Sequence, residues 1–322
     1  MRTRLPLLLL ATGGVACTSA PPAAPPSPRY PAHPGFDSYY YPGDAAMRAW
    51  RAPASPYEWV GYYLTAPCHR DPSWAGRRAA LDAMGWGIAV LYVGQQTWEG
   101  QAEAAPPPAG LPAAGAAGVG SDTTRRTPAD SLRADSLRRA TPAGDRVHAV
   151  APATPACAPA QLMAGRGEID AADAARQAAA EGFPTGTVIY LNVERMDSVP
   201  AAMHDYVRAW ARALLADGRY RPGLYVHVRN AAALAASLRA ELAAAGLAGE
   251  PRLWVANAAG FDLTRTPAES GHPSAAIWQG AFDVRETWGG VTLRIDANVA
   301  RDPAPSGPVP GVPAGPPPPP AP

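Results

Sequence analysis

The 322-residue chain reads as an α/β protein built on a (β/α)8, TIM-like barrel, degenerate in its last two units and carrying a disordered insertion after strand three. Three observations predict it. Eight β-type runs follow one another, mostly separated by helical patterns, which calls for a parallel sheet with crossover helices. Several of these runs carry polar residues near their ends, on the face opposite their apolar residues. Barrels of this kind keep their chemistry at the carboxyl ends of the strands. Finally, the 39 prolines and 31 glycines are clustered. Removing those low-complexity stretches leaves about 200 residues, near the lower end for eight strands.

The N-terminus reads as a targeting signal. Arg2 and Arg4 precede the apolar run Leu5–Ala11, too short to span a bilayer as a mature anchor. Gly14-Val-Ala-Cys17 follows and is similar to a bacterial lipobox. Residues 1–16 are therefore expected to be a signal peptide, with Cys17 lipidated and residues 17–33 forming a Pro-rich tether. Simple secretion is the alternative. With Cys17 set aside, Cys68 and Cys157 remain, and an oxidising compartment permits a disulfide between them. Two free thiols is the other reading.

The barrel is expected over residues 34–300. His33–Asp37 reads as a short first strand, followed by a helix near Asp44–Arg51 with Asp44 as its cap. Tyr57–Leu64 is the second strand, Ser73–Met84 a helix closed by Gly85, and Gly87–Val93 a fully buried third strand. Residues 100–160 are Ala/Pro/Gly-rich and cannot bury enough apolar surface to offset their ordering entropy. The echo Ala129-Asp-Ser-Leu-Arg and Ala134-Asp-Ser-Leu-Arg138 within them could form a short amphipathic helix. Order resumes with a helix over Glu168–Glu181 and the strand Thr187-Val-Ile-Tyr-Leu-Asn-Val-Glu194. Val199–Asp217 is a long helix with Met203, Val207, Trp210 and Leu214 on one face. Gly223–Val228, Arg252–Ala256, Ala275–Gln279 and Val291–Asp296 complete the strands, with a helix at Ala231–Ala245. The last two connections are short on helix, and residues 301–322 read as a Pro-rich tail.

Side chains alternate across a strand. Tyr190, Asn192 and Glu194 therefore share one face of strand four while Ile189, Leu191 and Val193 share the other. Asp37 closes strand one, Tyr225 and His227 lie on strand five, and Asp296 and Asn298 on strand eight. Closing the barrel makes strands one and eight neighbours. Asp37 and Asp296 would lie side by side, with Glu194 facing them across the mouth. Opposed carboxylates across a groove suit glycoside hydrolysis, one protonating the leaving oxygen while another activates water. Close aspartates also raise one another's pKa. Trp254, Trp278 and Tyr225 would supply flat surfaces for sugar rings, although for each aromatic taken singly core packing is the better reading. Gln279 and His227 join the expected binding set.

Other chemistries lack support. The histidines have no metal-like spacing, and no phosphate loop or nucleophile elbow appears. No metal or cofactor is expected. The net charge of +1, without a basic cluster in the folded part, argues against nucleic acid as a partner.

Gly35-Phe-Asp37, Tyr190-Leu-Asn-Val-Glu194, Gly223-Leu-Tyr-Val-His227, Leu253-Trp-Val-Ala256, Trp278-Gln279 and Ile295-Asp-Ala-Asn298 together resemble the glycoside hydrolase family 25 lysozyme barrel. Gly85-Trp-Gly-Ile-Ala-Val-Leu-Tyr-Val-Gly-Gln-Gln96 brings the chain closer to a related bacterial glycoside-hydrolase-like family of unknown function, numbered 1906. The resemblance implies Glu194 as general acid, with Asp37 and Asp296 lining the site. The departure is Asn192, where lysozymes carry the Asp of an Asp-x-Glu pair. An amide cannot act as a base or balance an oxocarbenium charge, but it can hold an N-acetyl group or a water. The reading is thus an exported, lipid-anchored monomer that acts on or binds cell-envelope glycans, peptidoglycan or polysaccharide. The alternative is a glycan-binding or scaffolding module without turnover.

Overall fold

A computed structural model describes residues 32–97 and 156–308. The expected signal peptide, Cys17, the expected tether up to residue 31, the echo at 129–138 and the expected tail beyond 308 lie outside the described residues. Strands β1 (His33–Asp37), β2 (Trp59–Leu64), β3 (Gly87–Val93), β4 (Val188–Val193), β5 (Arg221–His227), β6 (Arg252–Ala256), β7 (Ala275–Trp288) and β8 (Val291–Ala300) close into one barrel in chain order. Helices α1 (Asp44–Trp50), α2 (Arg78–Ala83), α3 (Ala164–Ala180), α4 (Ala201–Asp217) and α5 (Val228–Ala244) cross over between the first six strands.

The sheet is parallel from β1 to β7, but β8 runs antiparallel to both β7 and β1. The expectation of an all-parallel sheet is corrected there. Gly289 and Gly290 join β7 to β8 with φ of 56° and 78°, a left-handed pair that forms a tight hairpin and reverses the chain. Between β6 and β7 the connection holds only a 3-10 turn, Pro267–Ser270. Degeneracy therefore falls in the last two units, and β7 reaches 14 residues.

The barrel interior alternates very large with very small residues. Trp59, Tyr190 and Trp254 fill its centre edge-to-face, with ring centroids 5.5 and 5.8 Å from Trp254. Gly35 and Gly223 make room for the rings of Trp59 and Tyr190. At Gly61 a Cβ would lie 2.5 Å from the Cβ of Asp37, so glycine there lets β1 place its terminal carboxylate inside the barrel.

The lower end is sealed by residues that were expected to be tail. The β3–β4 ladder begins at Val90 and Ile189, and Ser306 inserts below it. Its Oγ accepts the Val90 N–H and donates to the Val188 carbonyl, both at 2.7 Å. Its own backbone bonds Ile88 and Val188, and Tyr190 donates its hydroxyl to the Pro305 carbonyl at 3.1 Å. The domain thus extends through residue 308.

Cys68 and Cys157 form a disulfide with Cα atoms 5.0 Å apart and a sequence separation of 89. The second described stretch begins at residue 156. Gln95 holds the segment around Cys157, donating to the Ala156 carbonyl and accepting from the Ala158 N–H. Closing a loop of that length stabilises by about 4–5 kcal/mol in the chain-entropy treatment.

Replacing Ser306 by Ala strands a buried N–H and a buried carbonyl. The expected loss is about 2–3 kcal/mol of unfolding free energy, read from the urea midpoint at unchanged m-value. A loss under about 0.5 kcal/mol would mean that the segment does not hold the barrel floor.

Candidate functional site

At the upper end, the barrel mouth opens into a cavity of about 760 Å³. Its wall contains Asp37, Asn192, Glu194, Tyr225, Gln279 and Asp296, all expected from sequence. Asp37 and Asp296 are direct partners in the β1–β8 ladder, which brings the two carboxylates together at one seam.

Asp37 is 4% exposed and accepts three hydrogen bonds from three strands. Tyr63 on β2 donates to Oδ2 at 2.7 Å, while Gln279 on β7 and Asn298 on β8 donate to Oδ1 at 2.8 Å each. Burial and the Asp296 charge push its carboxyl up to about 7, against the pull of those donors. Asp296 accepts from the second N–H of Gln279 at 3.0 Å and from the Asp283 backbone N–H at 2.6 Å. Burial raises its pKa, with the Asp283 N–H opposing. Gln279 is itself fixed by the Tyr225 hydroxyl, which donates to its Oε1. Trp254 donates to Asn298 Oδ1 at 2.9 Å, so this polar cluster rests on the central aromatic layer.

Glu194 lies just past β4. Burial raises its carboxyl first, the Asn192 amide draws it down, and the Asp296 charge raises it again. Gln96, at the exit of β3, sets the local backbone, accepting the Glu194 N–H and donating to the Asn192 carbonyl, both at 3.0 Å. Asn192 is 6% exposed and its Oδ1 has no hydrogen-bond partner. The amide proton side faces Glu194; turned the other way, it would set two acceptors against each other.

Three expected binders fall elsewhere. Trp254 is fully buried in the middle layer, below the rim, because the inward face of β6 meets the bulky centre there. Trp278 has the opposite parity from inward-facing Gln279. It therefore points outward, packs on Phe261 at 5.1 Å and donates to the Asn257 carbonyl. His227 caps α5, its Nδ1 accepting the Arg229 N–H at 3.1 Å, and does not line the cavity. The aromatic surface at the mouth comes instead from tyrosines, Tyr39, Tyr40, Tyr41, Tyr63 and Tyr225. Buried His69 packs between Tyr39 and Tyr63 behind the wall, and burial lowers it to about 4, which keeps the ring neutral. Among the described residues, no group of three or more His, Cys, Asp or Glu side chains is arranged to hold a metal.

Sequence reasoning missed Tyr63, Gln96, Asp283 and Arg294. Alternation along Trp59-Gly61-Tyr63 could have found the first. Asp283, with φ of 58°, and its ion-pair partner Arg294 belong to the β7–β8 hairpin, whose reach depends on a turn the alternation does not announce.

A closed barrel with a carboxylate-lined mouth at the upper ends of its strands is the plan of a glycoside-hydrolase-like domain. The chain belongs to the Rv2525c-like, glycoside hydrolase-like domain family, whose model matches residues 48–300. It is similar to an uncharacterized B. stearothermophilus protein, at 16% identity and TM-score 0.47 over 83% of this chain and 95% of that one. It is similar to the Mycobacterium tuberculosis Tat-secreted protein Rv2525c, in complex with L-tartrate, at 17% identity and TM-score 0.40 over 84% and 95%. A third is the modular autolysin LytC from Streptococcus pneumoniae, at 12% and 0.46 over 83% of this chain and 46% of that one. No curated protein matches.

All three carboxyls carry pKa values raised above the ordinary range, so the folded state holds their protons to higher pH than the unfolded chain; for Asp37 the window runs from about pH 4 to about pH 7. This contribution is fully present below the unfolded pKa and is lost as pH rises through the folded one. Asp296→Asn removes the charge that helps raise Asp37. Its stability relative to wild type is expected to grow by about 1–2 kcal/mol between pH 5 and pH 8. A pH-independent difference in chemical denaturation would refute the mutual repulsion of the two aspartates.

Proposed function

We propose that this protein is an exported, lipid-anchored hydrolase of cell-envelope glycans, with Glu194 as general acid. The observation that carries the reading is the environment of Glu194, which lines the cavity within electrostatic reach of Asp296 while burial raises its pKa above the ordinary carboxylate value. A glycosidic oxygen leaves only as it receives a proton, and a carboxylic acid with a raised pKa supplies it near neutral pH. Asp296 retains acceptor positions toward the cavity. It takes the proton of the water that adds to the anomeric carbon, or balances the charge that develops there. Asp37, surrounded by donors, fixes the geometry. Export and the anchor rest on the N-terminal pattern that ends at Cys17.

Asn192 favours a second reading. A carboxylate at that position would assist through the substrate; an amide only holds an acetamido group or a water. A glycan-binding module that keeps the groove is therefore the competitor.

Incubation with peptidoglycan and envelope polysaccharides separates the two. The wild-type chain is expected to release reducing ends, and Glu194→Gln to lower the rate by about 10²–10⁴-fold while binding persists. A wild-type protein that binds but releases nothing is a binding module. For the anchor, Cys17→Ser is expected to move the protein from the detergent phase to the aqueous phase; unchanged partitioning would rule out lipidation.

A further inference from the structure

Hydrogen-bond accounting at the cavity floor says more about its ligand. The floor's side-chain donors are already engaged within the protein. The Tyr63 hydroxyl serves Asp37, and the Tyr225 hydroxyl serves Gln279. Both N–H bonds of Gln279 go to Asp37 and Asp296, and the Asn298 amide goes to Asp37 and the Asp296 carbonyl. Further up the wall, the Tyr41 hydroxyl donates to Asp44 and Thr292 pairs with Thr287.

On the floor this leaves acceptors, while the Ser38 hydroxyl higher in the wall can donate or accept. Asn192 Oδ1 has no partner although the residue is more than nine-tenths buried. Asp296 keeps lone pairs beyond its two bonds. The proton of Glu194 is reserved for the bond to be cleaved. The charge balance points the same way. Four carboxyls, Asp37, Glu194, Asp283 and Asp296, line the cavity against one cation among its described residues, Arg294, which is paired with Asp283; with protons on Glu194 and on most of Asp37 near pH 6, Asp296 is the charge left to meet a cation.

A ligand that fits such a wall brings donors and no negative charge. An acetamido group offers one N–H but also a carbonyl, which finds no free donor on the floor. A protonated amine offers three donors and no acceptor. It also meets the carboxylates where the low local dielectric strengthens attraction. Resting on the glycan reading above, we infer that the cavity selects amino-sugar polymers bearing free ammonium groups and rejects uronic-acid or phosphate-bearing glycans.

The mature full chain can be titrated calorimetrically, near pH 6, with tetramers of glucosamine, N-acetylglucosamine and galacturonate. The glucosamine tetramer is expected to bind about tenfold more tightly than the galacturonate tetramer and severalfold more tightly than the acetylated one. The first ratio should shrink as salt is raised from about 50 to about 500 mM. Asp283→Gly suits the positive φ at that position and frees Arg294. It is expected to narrow the cation-to-anion ratio by about threefold or more. Equal or tighter binding of galacturonate by the wild-type protein would overturn the charge selection while leaving the glycan reading intact. So would an unchanged ratio in Asp283→Gly. No binding of any tetramer up to millimolar concentration would sink both.

Discussion

The buried carboxylate of Asp37 is the constraint around which the upper half of this barrel is organised. An ionised group removed from water must be surrounded by donors, or its burial costs several kcal/mol. Here the donors come from β2, β7 and β8, the strands that flank the seam where the barrel closes. The requirement therefore acts as a register lock. Moving β8 by one residue would turn Asn298 and Asp296 out of the barrel and leave the Asp37 carboxylate short of partners. Gly61 is part of the same constraint, since any side chain there would displace the carboxylate.

Reversing β8 costs the fold one crossover helix and gives the site a wall. Because β7 and β8 form a hairpin rather than a βαβ unit, they extend past the rim, and Asp283, Thr292, Leu293 and Arg294 line the cavity. The reversal also places Asp283 in left-handed backbone, which costs a non-glycine residue about 1–2 kcal/mol. Its N–H is thereby directed at Asp296 Oδ1. A charge-assisted bond to a carboxylate is of comparable size, so the turn and the carboxylate stabilise each other.

The strands were legible because a strand covered on both faces writes a continuous apolar run. The bounds of β3 and β6 agree with the sequence reading to the residue. The direction of β8 was not legible, since alternation is the same for parallel and antiparallel strands and only the Gly289-Gly290 turn distinguishes them. The inward parity of Asp37, Asn192, Tyr225 and Asp296 followed from period two alone, whereas Gln279 entered with its neighbour Trp278, although alternation sends the two to opposite faces. Height along the barrel axis did not follow from it. Trp254 shares the inward parity but lies one layer too low to meet a ligand, and Trp278 has the wrong parity altogether. The tail failed for another reason. Its composition is that of a linker, yet Ser306 completes backbone bonds that β3 and β4 leave open, a tertiary demand no local pattern records.

Three carboxyls in mutual electrostatic reach cannot all be ionised at low cost, and the arrangement of donors decides where a proton is useful. On Asp37 it would displace one of three donors and loosen the seam. On Asp296 it would compete with Gln279 and the Asp283 N–H. Glu194 lies past the end of its strand, held through its backbone by Gln96 rather than through its carboxyl, with the Asn192 amide beside it. A proton there breaks the fewest bonds and faces the cavity. An aspartate at position 192 would add a fourth charge to this cluster and raise Glu194 further. The amide relieves that repulsion and gives up the carboxylate's chemistry in exchange. In the proposed hydrolase Asp296, the carboxylate that keeps lone pairs beyond its two hydrogen bonds, therefore carries the second role alone.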